Sequence, residues 1–262
     1  MKKVVSLLKT HWFFFSFLGL IALIAILYTV GLRVGPGPSI VRVGTLLISD
    51  VPEQTEVYVD DTRRAAVVGG VARIALSPGP HTVIIAAPEA QPWSELVLIE
   101  SGESFEVSPI LAPTSIHGEK LAGADAEAAR KAILAYKLPL KAGPLSLASG
   151  CALVYTAQNR IVAEATTTET CTTPPDYLCI GEGCATTVIF PPTGTLRSVS
   201  PLPGRDDALL VSSGNMVYVL ELDPRDPRFF APLYKGIAPI GIPGTDGKIL
   251  VQDGKLFYQL SL

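Results

Sequence analysis

Few residues in this chain are of the types that carry out reactions. The imidazoles are His11, His81 and His117, and His11 borders a long apolar run. Acid–base chemistry would then fall to paired carboxylates, as in glycoside hydrolysis. Asp60-Asp61, Asp206-Asp207 and Asp223 with Asp226 are the candidates. Each pair sits in a predicted turn, where Asp is favoured for bonds to its own backbone. Asp60 and Asp61 lead into Thr62-Arg63-Arg64. Acids beside arginines suit a cation or a sugar, but a solvated hairpin tip is the plainer reading. Trp93, in Gln91-Pro92-Trp93-Ser94, is either a sugar-stacking platform or a core or edge aromatic. His81 opens a strand after a turn, the place of a hydrogen-bonded structural histidine. The chain has no G-x-S-x-G elbow, H-E-x-x-H, P-loop or strand-linked G-x-G-x-x-G. No catalytic, cofactor-binding or metal-ligating residue is assigned, and no cofactor is expected. Asp60, Asp61 and Trp93 stand as ligand-contact candidates.

The second reactive set is Cys151, Cys171, Cys179 and Cys184. The spacing C-x7-C-x4-C matches none of the usual short zinc pairs, and no histidine lies near. An even count in an exported chain suggests two disulfides, with three pairings open.

Export is argued from the stretch Trp12–Leu32, WFFFSFLGLIALIAILYTVGL, which carries no charge. As a helix its length is roughly 30 Å, the thickness of a bilayer's hydrocarbon core. Lys2, Lys3 and Lys9 precede it and Arg33 follows, so the positive-inside rule keeps the N-terminus cytoplasmic and exports the bulk. A cleaved signal peptide is the rival, but its apolar core is shorter, and Thr29-Val30-Gly31 is a poor cleavage site. The expectation is a single-pass protein held in the lipid bilayer through Trp12–Leu32.

The exported part holds 17 Lys and Arg against 24 Asp and Glu. That balance excludes nucleic acid, which needs clustered cations. The 22 prolines and 23 glycines punctuate runs of Val, Ile, Leu and Thr, the texture of a mainly β protein. Residues 35–43, with Gly35-Pro36-Gly37-Pro38, read as a stalk. Residues 44–112 read as six or so short strands of a small antiparallel sandwich: Thr45–Ile48, Glu56–Asp60 with Val57 and Val59 on one face, Arg73–Leu76, His81–Ala86, and a hairpin of Leu96–Glu100 with Glu103–Val107.

Gly44-Thr45-Leu46, Val51-Pro52-Glu53, Val57-Tyr58-Val59-Asp60 and Leu76-Ser77-Pro78-Gly79-Pro80-His81-Thr82-Val83 carry a resemblance. The stretch resembles the PEGA domain, a β-sandwich module of bacterial and archaeal surface proteins. The resemblance implies a cell-envelope module with a structural or binding role and no catalytic residues to transfer.

Residues 113–140 read as a linker with a helix over 125–136, DAEAARKAILAY. Asp125 is its N-cap, and Ala129, Ile133 and Tyr136 share an inward face. Residues 141–262 contain a repeat at an offset of 40. LLVSSGNMVYVLEL at 209–222 matches ILVQDGKLFYQLSL at 249–262, each a strand, a tight turn at Gly and a strand; LVYTAQNRIVAEA at 153–165 is a weaker copy. Such a period suggests β-propeller blades. Leu222-Asp223-Pro224-Arg225 and Tyr234-Lys235-Gly236 also resemble propeller-like repeats in exported parts of some bacterial PEGA proteins. Three periods are too few for a closed propeller, so the repeat reads as partial or open, with 166–187 as a stapled surface loop.

The functional expectation is a non-enzymatic, single-pass cell-envelope protein whose exported β modules bind envelope polysaccharide or an envelope protein. The alternatives are a membrane-anchored, carboxylate-dependent glycoside hydrolase and a subunit of a larger membrane complex.

Overall fold

The computed structural model describes residues 2–29, 31–34, 40–136, 143–167, 171, 174–180 and 183–262, with side chains omitted at 2–11, 13, 33, 34, 40, 65, 66 and 180. The chain is mainly β, built from several antiparallel sheets and no closed barrel among the described residues. It divides into two compact units: residues 1–83 with 96–109, and residues 84–95 with 110–262.

The first unit opens with helix α1, Lys2–Thr29. It starts before the apolar run and does not reach Leu32. The Thr29 hydroxyl donates to the Ile26 carbonyl at 2.8 Å, and Gly31, at φ 80°, turns the chain. Among the described residues no helix is long and apolar enough to cross a membrane. In α1 the described side chains are Trp12 and those of residues 14–29. Leu32 belongs instead to β1, Leu32–Val34, paired antiparallel with β2, Ile40–Arg42. β2 therefore falls inside the stalk expected at 35–43 and pairs with the strand just before it, while Gly35-Pro36-Gly37-Pro38 lies outside the described residues.

The next strands are β3 (Gly44–Ile48), β4 (Glu56–Val59), β5 (Thr62–Ala66), β6 (Ala72–Leu76), β7 (Gly79–Ala86), β8 (Trp93–Ile99) and β9 (Ser104–Val107). They form two sheets, ordered β6-β3-β9 and β5-β4-β7-β8. Alternate residues are buried: Leu46 and Ile48 on β3, Val57 and Val59 on β4, Ala72, Ile74 and Leu76 on β6. This period-two pattern is what the sequence alternation requires of a sheet with one apolar face. One pairing differs from expectation. Leu96–Glu100 and Glu103–Val107 do not form a hairpin. β9 lies beside β3 and runs parallel to it, Ile48 opposite Val107, while β8 belongs to the other sheet. The bend at Ser101-Gly102, with Gly102 at φ 78°, carries the chain from one sheet to the other.

The second unit contains three four-stranded antiparallel sheets. Its strands begin with β10 (His117–Lys120), followed by helix α2 (Gly123–Tyr136). The first sheet runs β11 (Leu145–Leu147), β12 (Ala152–Ala157), β13 (Arg160–Ala165) and, after a small hairpin of β14 (Cys179–Ile180) and β15 (Gly183–Cys184), β16 (Thr187–Phe190). The second is a meander of β17 (Leu196–Pro201), β18 (Ala208–Ser213), β19 (Met216–Glu221) and β20 (Phe230–Lys235). The third is β21 (Ile240–Pro243), β22 (Ile249–Asp253) and β23 (Leu256–Ser261), completed at its outer edge by β10, with His117 opposite Ser261. The region read as a linker therefore supplies a strand.

The three sheets are stacked. Val154 and Ile161 of the first share a core with Val211 and Tyr218 of the second. The opposite face of the second meets the third, where the Ser198 hydroxyl donates to the Gly241 carbonyl at 2.9 Å and the Gly241 N–H donates to Ser212 Oγ at 2.8 Å. The far face of the third sheet packs Ile242 and Phe257 against Ala129 and Ile133 of α2. The helix is thus a cap on this sheet rather than a connector. Tyr136, expected inward, is exposed at its end.

The repeat is structural. β18–β19 and β22–β23 are hairpins offset by 40 residues, with Val211 and Val251 both buried. Tyr218 and Tyr258 differ: the first is buried between sheets, while the second is half-buried beside Tyr234, ring centroids 5.5 Å apart. Both hairpins turn at a glycine of positive φ, Gly214 at 57° and Gly254 at 63°. β12–β13, the weaker copy, turns at Gln158 and Asn159, also at positive φ. A β-branched residue at such a φ is strained. We expect Gly214→Val and Gly254→Val each to destabilise the second unit by about 1–3 kcal/mol, read as a lowered urea midpoint. Unchanged midpoints in both variants would show that these turns do not need glycine.

Candidate functional site

The most unusual chemistry lies at the end of the middle sheet of the second unit. Glu221 is the last residue of β19, a strand otherwise apolar from Met216 to Leu220. It is 7% exposed. The indole of Trp93, 1% exposed, donates from Nε1 to Glu221 Oε1 at 3.3 Å. Two residues along β8, hence on the same face, Glu95 adds a second carboxyl. Burial, then the neighbouring Glu95 carboxyl, pushes Glu221 up to about 8, against the opposing Trp93 donor. Burial, then Asp223, pushes Glu95 up to about 7, with Arg225 opposing. Desolvation disfavours the charged form, so at pH 7 Glu221 is mainly the neutral acid.

Ion pairs border the acids. Arg225 pairs with Asp223 at 2.5 Å and with Asp176 at 2.9 Å, and Arg205 pairs with Asp207 at 2.6 Å. The Asp223 hydrogen bonds hold the Arg225 guanidinium charged, raising it despite burial. Burial and the surrounding acids raise the Tyr177 phenol.

The sequence-derived candidates fall in several places. Asp60 and Asp61 form the β4–β5 turn, both at positive φ. Asp60 is a local clamp: it faces His81 Nδ1 at 2.7 Å and accepts from the Thr82 N–H at 3.1 Å. Burial pushes its carboxyl up, but the His81 and Thr82 donors outweigh this and leave it below the usual range. The other His81 nitrogen, Nε2, is 2.8 Å from the Ser77 carbonyl oxygen, so the histidine ties turn to turn. Trp93 is no sugar platform, because its ring is buried. Asp206 accepts from Ser149 N at 2.7 Å and from Ser149 Oγ at 2.9 Å, while its neighbour Asp207 faces Arg205. The Asp206-Asp207 pair is therefore split between two structural contacts. The cysteines are joined as Cys151–Cys171 and Cys179–Cys184, and no free cysteine is found among the described residues. Nor does any group of three or more His, Cys, Asp or Glu there have the geometry to hold a metal ion.

Sequence reasoning missed Glu95 and Glu221. The signal was present: an acid inside the apolar run MVYVLEL, and another two residues after a tryptophan. Chemically, a carboxyl near neutral pKa is suited to proton transfer. Here it lies under Trp93 and bonds inside the protein. A groove of about 610 Å³ is lined by Tyr136, Pro201, Leu202, Pro203, Gly204, Arg205, Asp206 and Pro243, and the carboxyl it offers is that of Asp206.

The chain matches no family model and no curated protein sequence. Among solved structures it is similar to a DUF3823 family protein from Bacteroides ovatus ATCC 8483, at 8% identity over 84% of this chain and 95% of that one. The TM-score of 0.21 is too low to bear on fold or function.

The acid pair sets a pH dependence. The native pKa values exceed the ordinary 4.5, so the native state holds these protons more tightly than the unfolded chain. The resulting stabilisation is complete below pH 4.5 and is lost as pH rises through 7 to 8. Glu221→Gln, which keeps an acceptor for Trp93 but cannot ionise, should therefore show a smaller fall in urea midpoint between pH 5 and pH 8 than the unaltered chain. Identical pH profiles would mean that Glu221 does not titrate in this range.

Proposed function

We propose that this is a membrane-anchored, non-enzymatic cell-envelope protein, with α1 in the bilayer and the β units outside it, binding envelope polysaccharide or an envelope protein. The observation that carries this reading is the surface of α1. Its apolar side chains are exposed on every face, from Trp12 at 76% to Ile21 at 48%. A helix apolar all round needs a nonpolar environment, and its backbone groups are satisfied internally, as lipid requires. The lysines before it favour a cytoplasmic N-terminus. Two disulfides fit an oxidising compartment outside the cytoplasm. We read residues 44–112 as a PEGA-like sandwich and the three stacked sheets as blades of an unclosed, propeller-like array.

The raised carboxyls favour the second reading, a glycoside hydrolase. The burial of Glu221 and Trp93 weighs against it, since a general acid must come within hydrogen-bond reach of its substrate. The two readings part on Glu221→Gln: loss of hydrolysis of an envelope glycan would establish the enzyme, and unchanged glycan binding without turnover supports the binding module.

The anchor is tested on the full chain. It should remain with the membrane pellet after alkaline extraction, and protease added outside the cell should digest the β units. Release into the supernatant, or a C-terminal reporter active in the cytoplasm, would end the proposal.

A further inference from the structure

In the first unit His81 faces an acceptor at each ring nitrogen. Its Nδ1 is 2.7 Å from Asp60 Oδ2, and its Nε2 is 2.8 Å from the Ser77 carbonyl oxygen. Burial raises the Asp60 carboxyl, but the His81 and Thr82 donors, with Arg64 of β5, outweigh it and leave the group below the usual range. Asp60 is therefore a carboxylate, and a carboxylate and a carbonyl only accept. A neutral imidazole carries one N–H, and the imidazolium carries two. Both contacts are hydrogen bonds only while the ring is protonated at both nitrogens.

The ring joins two turns, and they depend on it unequally. Asp60, in the β4–β5 turn, is also fixed to β7: its N–H donates to the Thr82 carbonyl at 3.0 Å, and its Oδ1 accepts from the Thr82 N–H at 3.1 Å. Those bonds do not involve the imidazole and hold in either protonation state. Ser77 lies in the turn between β6 and β7, and its contact does involve the imidazole. On deprotonation the proton facing the carboxylate stays, so Nε2 becomes bare. Its lone pair then faces a carbonyl oxygen at 2.8 Å, which is repulsive. Ser77 has a second oxygen nearby, its hydroxyl at 3.5 Å from Nε2. The hydroxyl is a donor as well as an acceptor. It reaches the bare nitrogen once the carbonyl moves off.

We infer that Asp60, His81 and Ser77 form a proton switch: the doubly protonated ring holds the β6–β7 turn by the Ser77 carbonyl, and in the neutral ring the Ser77 hydroxyl takes that place and the turn loosens. The His81 side chain is 11% exposed, which limits the water that would replace the carbonyl. An imidazole exchanges its proton at about pH 5 to 8. Asp60, held below its usual range, stays charged throughout that window, and so does the Arg64 guanidinium that acts on it. The added hold on the turn is complete while the ring is protonated and is lost as pH rises.

The test uses the full chain in detergent micelles. With nitrogen-15 in the histidine rings, His81 should carry N–H protons on both ring nitrogens at about pH 5 and on Nδ1 alone at about pH 8. Its signals are those that vanish in His81→Gln. Deuterium uptake by residues 76–83, taken relative to the intrinsic rate at each pH, should rise about fivefold across that range, the equivalent of one net hydrogen bond. His81→Gln should abolish this pH dependence. Ser77→Ala keeps the carbonyl and loses the hydroxyl, so it should match the unaltered chain in acid and take up deuterium faster at the alkaline end. Ser77 is exposed, and its variant decides the matter even where His81→Gln fails to fold. A neutral ring with its proton on Nε2 overturns the inference. So does a pH dependence that survives His81→Gln, or a Ser77→Ala chain that matches the unaltered one throughout, since the turn is then indifferent to the proton.

Discussion

A sheet that is apolar on both faces must be covered on both. In the second unit that constraint falls hardest on β18, whose six residues are all buried. Its neighbour β19 is buried from Val217 onward. Such strands read as continuous apolar runs, because each face is needed. The first sheet supplies one cover and the third sheet the other. Among the described residues of this unit neither of these has a sheet on its other face, so the problem is passed outward. At the third sheet it is solved by α2, a short helix with just two buried residues, Ala129 and Ile133. β10 follows the same logic along the edge, pairing with β23 and leaving its own exposed residues outermost. The position of the supposed linker is thus dictated by the sheet it serves.

Packing also explains where polar groups are admitted. The second and third sheets touch through Ser198, Ser212 and the backbone of Gly241. A Cβ at Gly241 would come within 2.6 Å of Val217 Cγ1. The glycine lets the sheets approach closely enough for serine to reach backbone across the gap. Buried hydroxyls are tolerated there because each is partnered.

Much of this could be read in the sequence. Alternation located most strands of the first unit, and the 40-residue offset found two equivalent hairpins from Leu, Val, Gly and Tyr alone. Both are local signals, fixed by strand period and by turn backbone. Pairing partners were less legible. Nothing in Ser104–Val107 says that it lies parallel to β3 rather than folding back on β8, because its side chains suit either neighbour. Nothing in His117–Lys120, all exposed, marks it as an edge strand. The cysteine pairing was open for the same reason: it depends on which strand ends meet. The site was the least legible part. Turn carboxylates drew attention because they cluster in sequence, yet the structure uses Asp60, Asp206 and Asp207 as local clamps. The perturbed acids are distant in sequence, Glu95 and Glu221, and only folding brings them together.

That contrast bears on how the acids should be understood. A carboxyl is raised in pKa wherever water is removed from it, and catalysis is one of several reasons for removing water. What distinguishes an active site is a path for the reacting atom to the proton. Around Glu221 the space a substrate would need is filled by Trp93, whose indole N–H takes the Oε1 lone pair. The charged neighbours are already matched, Arg225 by Asp223 and Asp176, and Arg205 by Asp207. With the cations engaged, the cheapest state for Glu221 is to keep its proton, which also spares the unit a buried charge. The cluster is therefore a proton-dependent joint between the start of β8 and the end of β19. Its chemistry is that of cohesion within the unit.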